Sequence, residues 1–261
     1  MEDLTVIIPT WNNHGYLMDS LYTMKRYVDP PEMLIIANNG DPDKRVEVEA
    51  LVMDMGFPSA RVAHFHKNIG DGAAFNNLLP HVSTKYVAEL NDDVFFVPCN
   101  RGFWRELTDI ASEDGVGCVG PVSDGISSAV QNIKCHCNLD KIEAVCLHGF
   151  CMVWKTSVVS DLGGFDLSLP GGYDLDISIR MRVAGLKMVV DRMVYLGHVG
   201  GTSSSRLGIE KYLADTEKAL RSKYGDAFFD SKPVINGRVA FNIFDTLGMA
   251  ASPWIPKEKA V

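Results

Sequence analysis

From Leu4 to Asp93, short apolar strands alternate with helical stretches, and this constrains the fold more than any other feature of the chain. Leu4 to Ile8 (LTVII) is a continuous β-branched run stopped by Pro9, the pattern of a strand buried on both faces. Tyr16 to Tyr27 follows, with Leu17, Met18, Leu21, Met24 and Val28 at helical spacing. Met33 to Ala37 predicts a second buried strand, ended by the turn Asn38-Asn39-Gly40. Residues 44–55 and 71–79 predict helices, and Arg61 to Phe65 and Tyr86 to Leu90 predict strands. Strand–helix units this short imply a parallel sheet with helices on both faces. Such sheets bind ligands at the C-terminal ends of their strands. The polar turns Thr10 to Asn13, Asn38 to Asp41, Asn68 to Gly72 and Asn91 to Asp93 therefore belong to one edge.

The second half is less regular. Gly117 to Pro121, Gly149 to Trp154, Lys187 to Val190 and Met193 to Tyr195 predict extended segments. Asp176 to Ala184, closed by Gly185, and Glu210 to Tyr224 predict helices. With 261 residues and no repeat or linker, the expectation is one domain over residues 1–205. Within it, residues 1–97 and 98–205 form two halves, and residues 206–261 are a helical extension packed on the same domain. The net charge of -8 argues against nucleic acid as a partner, although Arg180, Arg182, Lys187 and Arg192 could form a local basic patch. Leu4 to Pro9 is too short for a secretory core, and no run of ~18 apolar residues is present. The expectation is a cytoplasmic protein, with peripheral membrane association and a homo-oligomer left open. Cys135, Cys137, Cys146 and Cys151, with His136 and His148 among them, could hold zinc but lack paired CxxC knuckles. The simpler expectation is that Cys146 and Cys151 fill a buried segment.

Four places carry chemistry. Asn91-Asp92-Asp93 puts carboxylates at a strand end, where a divalent cation bound to phosphates is their natural partner; the alternative is a turn with a capping aspartate. Gly171-Gly172-Tyr173-Asp174-Leu175-Asp176 places carboxylates at a helix entrance. There Asp176 suits capping, and Asp174, just outside the helix, is freer to act as a general base. His198, in Tyr195-Leu196-Gly197-His198, could bring an imidazole to a metal or be merely structural. Asn68-Ile69-Gly70-Asp71-Gly72, with Asn76 beyond, could admit phosphate or sugar oxygens, but it is neither a dinucleotide fingerprint nor a P-loop.

Taken in order, these segments resemble the inverting glycosyltransferases of family 2, which have the GT-A fold. The resemblance is carried by VIIPTWNN (Val6 to Asn13), LIIANNGDPD (Leu34 to Asp43), NIGDGAAFNN (Asn68 to Asn77) and ELNDDV (Glu89 to Val94), and then by LGGFDLSLPGGYDLDISIRMRVAG (Leu162 to Gly185) and GHVGGTS (Gly197 to Ser203). It implies an α/β fold: a Rossmann-like, mostly parallel central sheet flanked by helices, with a smaller mixed acceptor-side region. It further implies transfer of a sugar from a nucleoside-diphosphate sugar to the hydroxyl of a carbohydrate or other acceptor. Donor contacts would come from Pro9, Thr10, Trp11, Asn13, Asn38, Asn39, Asn68, Gly70, Asn76, Asn91 and Asp92. Asp93 and His198 would hold Mn²⁺ or Mg²⁺, and Asp174 would be the base.

Two positions depart from the family pattern. Asn38 stands where an aspartate usually binds the nucleobase, so a UDP-sugar is the expected donor with dTDP- and GDP-sugars as alternatives. Tyr173 replaces the glutamate that usually precedes the catalytic aspartate. Three other functions compete: a sugar-nucleotide pyrophosphorylase, which would want a glycine-rich basic loop where Pro9-Thr10-Trp11 stands; a non-catalytic nucleotide-sugar or carbohydrate-binding domain; and a nucleic-acid-modifying glycosyltransferase, which the acidic net charge disfavours.

Overall fold

The computed structural model describes residues 3–126, 130–134, 140–200 and 209–225, with the residue pairs 234–235, 238–239 and 255–256. The first half runs β1 (Leu4–Thr10), α1 (His14–Tyr27), β2 (Met33–Asn38), α2 (Arg45–Met55), β3 (Ala60–His64), α3 (Asp71–Leu78) and β4 (Tyr86–Leu90). The second half runs β5 (Val94–Phe95), α4 (Phe103–Ser112), β6 (Val116–Val122), β7 (Lys141–Ala144), β8 (Cys151–Lys155), α5 (Thr156–Asp161), α6 (Tyr173–Val183), β9 (Lys187–Tyr195), β10 (Gly197–His198) and α7 (Ile209–Tyr224). Eight strands form one sheet in the order β3-β2-β1-β4-β8-β6-β9-β7.

The first four strands are parallel, as their alternation with helices demands: Thr10 lies beside Asn38, and Asn38 beside His64. This puts the polar turns after β1, β2 and β3 on a common edge. β8 runs antiparallel between β4 and β6, and β7 is an antiparallel edge strand on β9. The sheet is thus parallel over its first four strands and mixed beyond them, as expected.

Side chains alternate across each strand and divide the interior into two cores. Leu4, Val6, Ile8, Leu34, Ile36, Ala88 and Val153 face α1, α2 and α4. Ile7, Ile35, Val87, Met152 and Trp154 face α3, α5 and α6. Phe75, Trp154 and Phe165 form an aromatic cluster in the second core, with ring centroids 5.2 to 6.1 Å apart. Contacts of this kind stabilise by about 0.5–1.5 kcal/mol each beyond simple burial.

The structure amends the sequence expectations at several points. α4 has no counterpart among them, although Phe103, Trp104, Leu107, Ile110 and Ala111 recur at helical spacing and are buried. The two extended segments expected over residues 187–195 are one strand, β9. α6 begins at Tyr173, so Asp174 lies inside its first turn rather than before it. The basic patch does not form: Arg180 donates to Asp176 and to the carbonyls of Leu162 and Gly164, and Arg192 donates to the carbonyl of Val130. Cys146 and Cys151 are buried free thiols, as apolar fillers should be. Cys135, His136 and Cys137 lie outside the described residues. Among the described residues no helix is long and apolar enough to cross a membrane.

Asp176 does not cap α6. Its side chain is 0% exposed and accepts from Arg180 Nε at 2.7 Å, Lys223 Nζ at 2.5 Å and the Tyr224 hydroxyl. Leu220 on α7 packs against Leu175 and Ile179 on α6 beside this contact. A buried carboxylate with two cations and a hydroxyl therefore ties α6, the loop at Leu162 to Gly164, and the end of α7 together. Removing one partner of such a cluster strands the remaining charges. Asp176→Ala should lower unfolding free energy by about 3–5 kcal/mol, measured by urea denaturation; a loss below 1 kcal/mol would show that the cluster does not fasten α7.

Candidate active site

The site is built at the C-terminal edge of the parallel strands, and β4 supplies its floor. β4 is buried along its whole length, held by β1 on one side and β8 on the other. Its extension Asn91-Asp92-Asp93 leads into β5, which pairs antiparallel with β10 so that His198 lies opposite Val94. The Val199 N–H also donates to the Asp93 carbonyl. This two-stranded ribbon brings His198 Nε2 to 3.2 Å from Asp93 Oδ1, across more than a hundred residues of chain. Asn91 Nδ2 lies 3.3 Å from the same ring nitrogen, and Phe150 stacks on the imidazole.

The donor set suits a divalent cation. A carboxylate that is 4% exposed and an imidazole nitrogen converge within 3.2 Å, and two such atoms need a proton or a metal ion between them. Among the described residues no group of three or more His, Cys, Asp or Glu forms a complete metal cage. Two protein ligands are what a cation needs when phosphate oxygens and water complete its shell.

Asp92 turns the other way. It accepts from Thr10 Oγ1 at 2.7 Å and from Asn13 Nδ2 at 3.3 Å, locking the turn after β1 against the end of β4. Burial pushes its carboxyl up to about 6, against the hydrogen bond from Thr10. The turns after β1, β2 and β3 are stitched to one another in the same manner. Asn39 N–H donates to the Thr10 carbonyl, and Asn39 Nδ2 to the Gly70 carbonyl. Asn12 Oδ1 accepts from Asp41 N–H, and Asn68 Oδ1 from Gly70 N–H. Gly70 holds φ at 88° as it enters α3, a conformation open to glycine. Pro9 and Trp11 are half-buried at the same edge.

Two expected donor contacts have other work in the structure. Asn76 spends both halves of its amide on the Phe165 backbone, donating to its carbonyl at 2.8 Å and accepting from its N–H at 2.9 Å. It clamps α3 to the loop that carries Phe165. Asn38 Oδ1 accepts from Gly40 N–H, and Asn38 Nδ2 lies 3.0 Å from His64 Nδ1; His64 Nε2 in turn lies 2.9 Å from Glu49.

Asp174 reaches the same region from the acceptor side. Its Oδ1 accepts from Leu175 N–H and its Oδ2 from Gly149 N–H, so the carboxylate is fixed by backbone alone. It lines a cleft of about 280 Å³ together with Asn91 and His198, and with Asp71, Glu89 and His148, none of which the sequence suggested for this role. Glu89 was legible as the lone charge in the apolar strand YVAEL. His148 stood hidden among the cysteines, and burial lowers its basicity. Tyr173, in the place of the family's glutamate, lies over α3, where a side chain at Gly72 would come within 2.8 Å of its ring.

Gly125 shapes the metal side. A Cβ there would fall 1.6 Å from the His198 carbonyl oxygen, a backbone atom with nowhere to go. Gly125→Ala should displace β10 and destabilise the fold by about 1–3 kcal/mol, the usual cost of overpacking; thermal denaturation at wild-type Tm would show that the ribbon tolerates the methyl group.

The description "Glycosyl transferase family 2" matches residues 5–148, and the chain belongs to that family. It is 26% identical over 228 residues to "Uncharacterized protein Rv1525" of Mycobacterium tuberculosis, covering 81% of this chain and 80% of that one. It is 25% identical over 211 residues to the pre-mycofactocin glycosyltransferase of the same species, covering 76% of this chain but only 43% of that relative. Among solved structures, the mannosyltransferase PcManGT from Pyrobaculum calidifontis, in complex with GDP-Man and Mn²⁺, superposes with a TM-score of 0.65 at 17% identity. That match covers 84% of this chain and 64% of the other. S. aureus TarS 1-349 in complex with UDP-GlcNAc superposes with a TM-score of 0.57 at 14% identity, over 76% of this chain and 58% of that one. These likenesses establish the GT-A fold.

Proposed function

We propose that this family 2 protein is a metal-dependent, inverting glycosyltransferase that moves a sugar from a nucleoside-diphosphate sugar to an acceptor hydroxyl. The observation that carries the proposal is that His198 and Asp174 line one cleft from separate parts of the chain, with Asp93 3.2 Å from the His198 ring. The Mn²⁺ and nucleotide sugars named with the structural neighbours support the same reading.

In this reading the donor diphosphate lies over the strand ends beside Asp93 and His198, which would hold Mn²⁺ or Mg²⁺. When bound, the cation neutralises negative charge on the departing nucleoside diphosphate. Thr10, Asn13, Asn39 and Asn68 shape the turns that receive the nucleotide. Pro9, Trp11 and Gly70 complete that rim, with Asn91 and Asp92 beneath it. Asp174 takes the proton of the acceptor hydroxyl as its oxygen bonds to the anomeric carbon, while the bond from that carbon to the phosphate oxygen breaks. Attack from the face opposite the leaving group inverts the anomeric centre. Backbone N–H groups at Leu175 and Gly149 hold the carboxylate in place and leave it acceptor capacity for that proton.

General-base assistance typically contributes about 10²–10⁴-fold. Asp174→Asn should therefore lose at least about a hundredfold in kcat while keeping donor affinity, measured by nucleoside diphosphate release and by calorimetry; near-normal kcat would remove Asp174 from the role of base. Asp93→Ala should abolish the Mn²⁺ dependence of nucleotide binding, followed by titration with UDP, GDP and dTDP in the presence and absence of metal. Equal binding under both conditions in the wild-type chain would remove the metal from the site.

A further inference from the structure

Three carboxylates meet in the cleft: Asp71 from the first turn of α3, Glu89 from β4 and Asp174 from α6. Asp71 and Asp174 are each held by backbone N–H donors, at Gly72 for the first and at Leu175 and Gly149 for the second. Glu89 is different. It is 5% exposed, borders the cleft, and has no hydrogen-bond or ion-pair partner among the described residues. A buried carboxyl without a partner destabilises the fold unless a ligand supplies what it lacks.

No lysine or arginine lines the cleft among the described residues. The two imidazoles do not compensate: burial lowers the basicity of His148, and His198 faces Asp93. Burial, reinforced by the charges of Asp71 and Asp174, pushes the Glu89 carboxyl well above the usual carboxylate range. The cleft is thus acidic and desolvated, and the ionised form of Glu89 has no positive partner in it. A second metal ion would draw fewer than three protein ligands here, because among the described residues no group of three His, Cys, Asp or Glu could hold one. An ammonium group answers the cleft more directly. It carries one positive charge and three N–H donors, and it can bridge acceptors spread more widely than a metal shell allows.

We propose that this cleft binds a substrate bearing a free primary amine, with Glu89 as the residue that selects it over the hydroxyl or N-acetyl analogue. The proposal rests on the glycosyltransferase reading for the identity of the ligand as a sugar, and the amine can belong to the acceptor or to the transferred sugar. A neutral hydroxyl offers one donor and no charge, so it leaves two carboxylates uncompensated. An N-acetyl group adds bulk and a carbonyl oxygen facing carboxylate oxygens.

The test uses the full chain with Mn²⁺. In the acceptor arm, glucosamine, glucose and N-acetylglucosamine are titrated in the presence of UDP. In the donor arm, UDP-glucosamine is compared with UDP-glucose and UDP-N-acetylglucosamine. The amine ligand should bind roughly tenfold or more tightly than its analogues in one arm, and that arm identifies the source. Glu89→Gln, an isosteric change, should erase the preference while leaving UDP affinity and folding intact. Its thermal stability should be equal or higher, because glutamine carries no buried ionisable carboxyl. Equal affinity for amine and neutral ligands in both arms, or a preference undiminished in Glu89→Gln, overturns the proposal. If UDP, GDP and dTDP all fail to bind with Mn²⁺, it is the glycosyltransferase reading that fails; nucleotide binding without amine preference fails the present inference alone.

Discussion

The site depends on the complete burial of β4. A strand packed between two cores and paired on both edges has no freedom to shift, so whatever follows its last apolar residue is delivered to a fixed point. Here that is Asn91-Asp92-Asp93. Apolar burial of Val87, Ala88 and Leu90 is what holds charged groups at the sheet edge against their own hydration. The ribbon of β5 and β10 then performs a smaller version of the same task, using main-chain hydrogen bonds to hold His198 against Asp93. Side chains at the site are precise because none of them hangs from a free loop.

How much of this was legible in the sequence follows from the range of the interactions. The parallel half was readable, because hydrophobic period and polar turns are local signals: LTVII, MLIIA and YVAEL each became a strand where expected. The mixed half was readable only in pieces. β8 is central and antiparallel because β4 and β6 both pair with it, a fact of topology that its own residues do not encode. The pairing of Asp93 with His198 was reached through the order of motifs, whereas Glu89 and Asp71 were passed over because each looks ordinary in its own segment. Only the packing of α3, β4 and α6 around one cleft makes a cluster of them.

Asn38 illustrates how a site residue is set by what lies behind it. Its carbonyl oxygen is held by Gly40 N–H, which directs the amide nitrogen to His64 Nδ1. His64 can accept there only when its proton is on Nε2, the atom that faces Glu49. The chain of Glu49, His64 and Asn38 thus favours one amide orientation, with one N–H and one lone pair left over. An aspartate at this position would offer acceptors alone, whereas this asparagine can both donate and accept.

Asp174 and Asp176 show why two carboxylates two residues apart acquire opposite uses. On a helix they point ~200° away from each other, so one looks into the cleft and the other toward α7. Asp176 is enclosed by Arg180, Lys223 and Tyr224, whose donors engage both of its oxygens. Its side chain is 0% exposed, so no substrate proton reaches it. Asp174 is held only by neutral backbone donors, one on each oxygen, and keeps acceptor capacity on both. The same helix start therefore carries two differently held carboxylates: Asp176 pins α6 against its neighbours, and Asp174 sits at the cleft with acceptor capacity left on both oxygens.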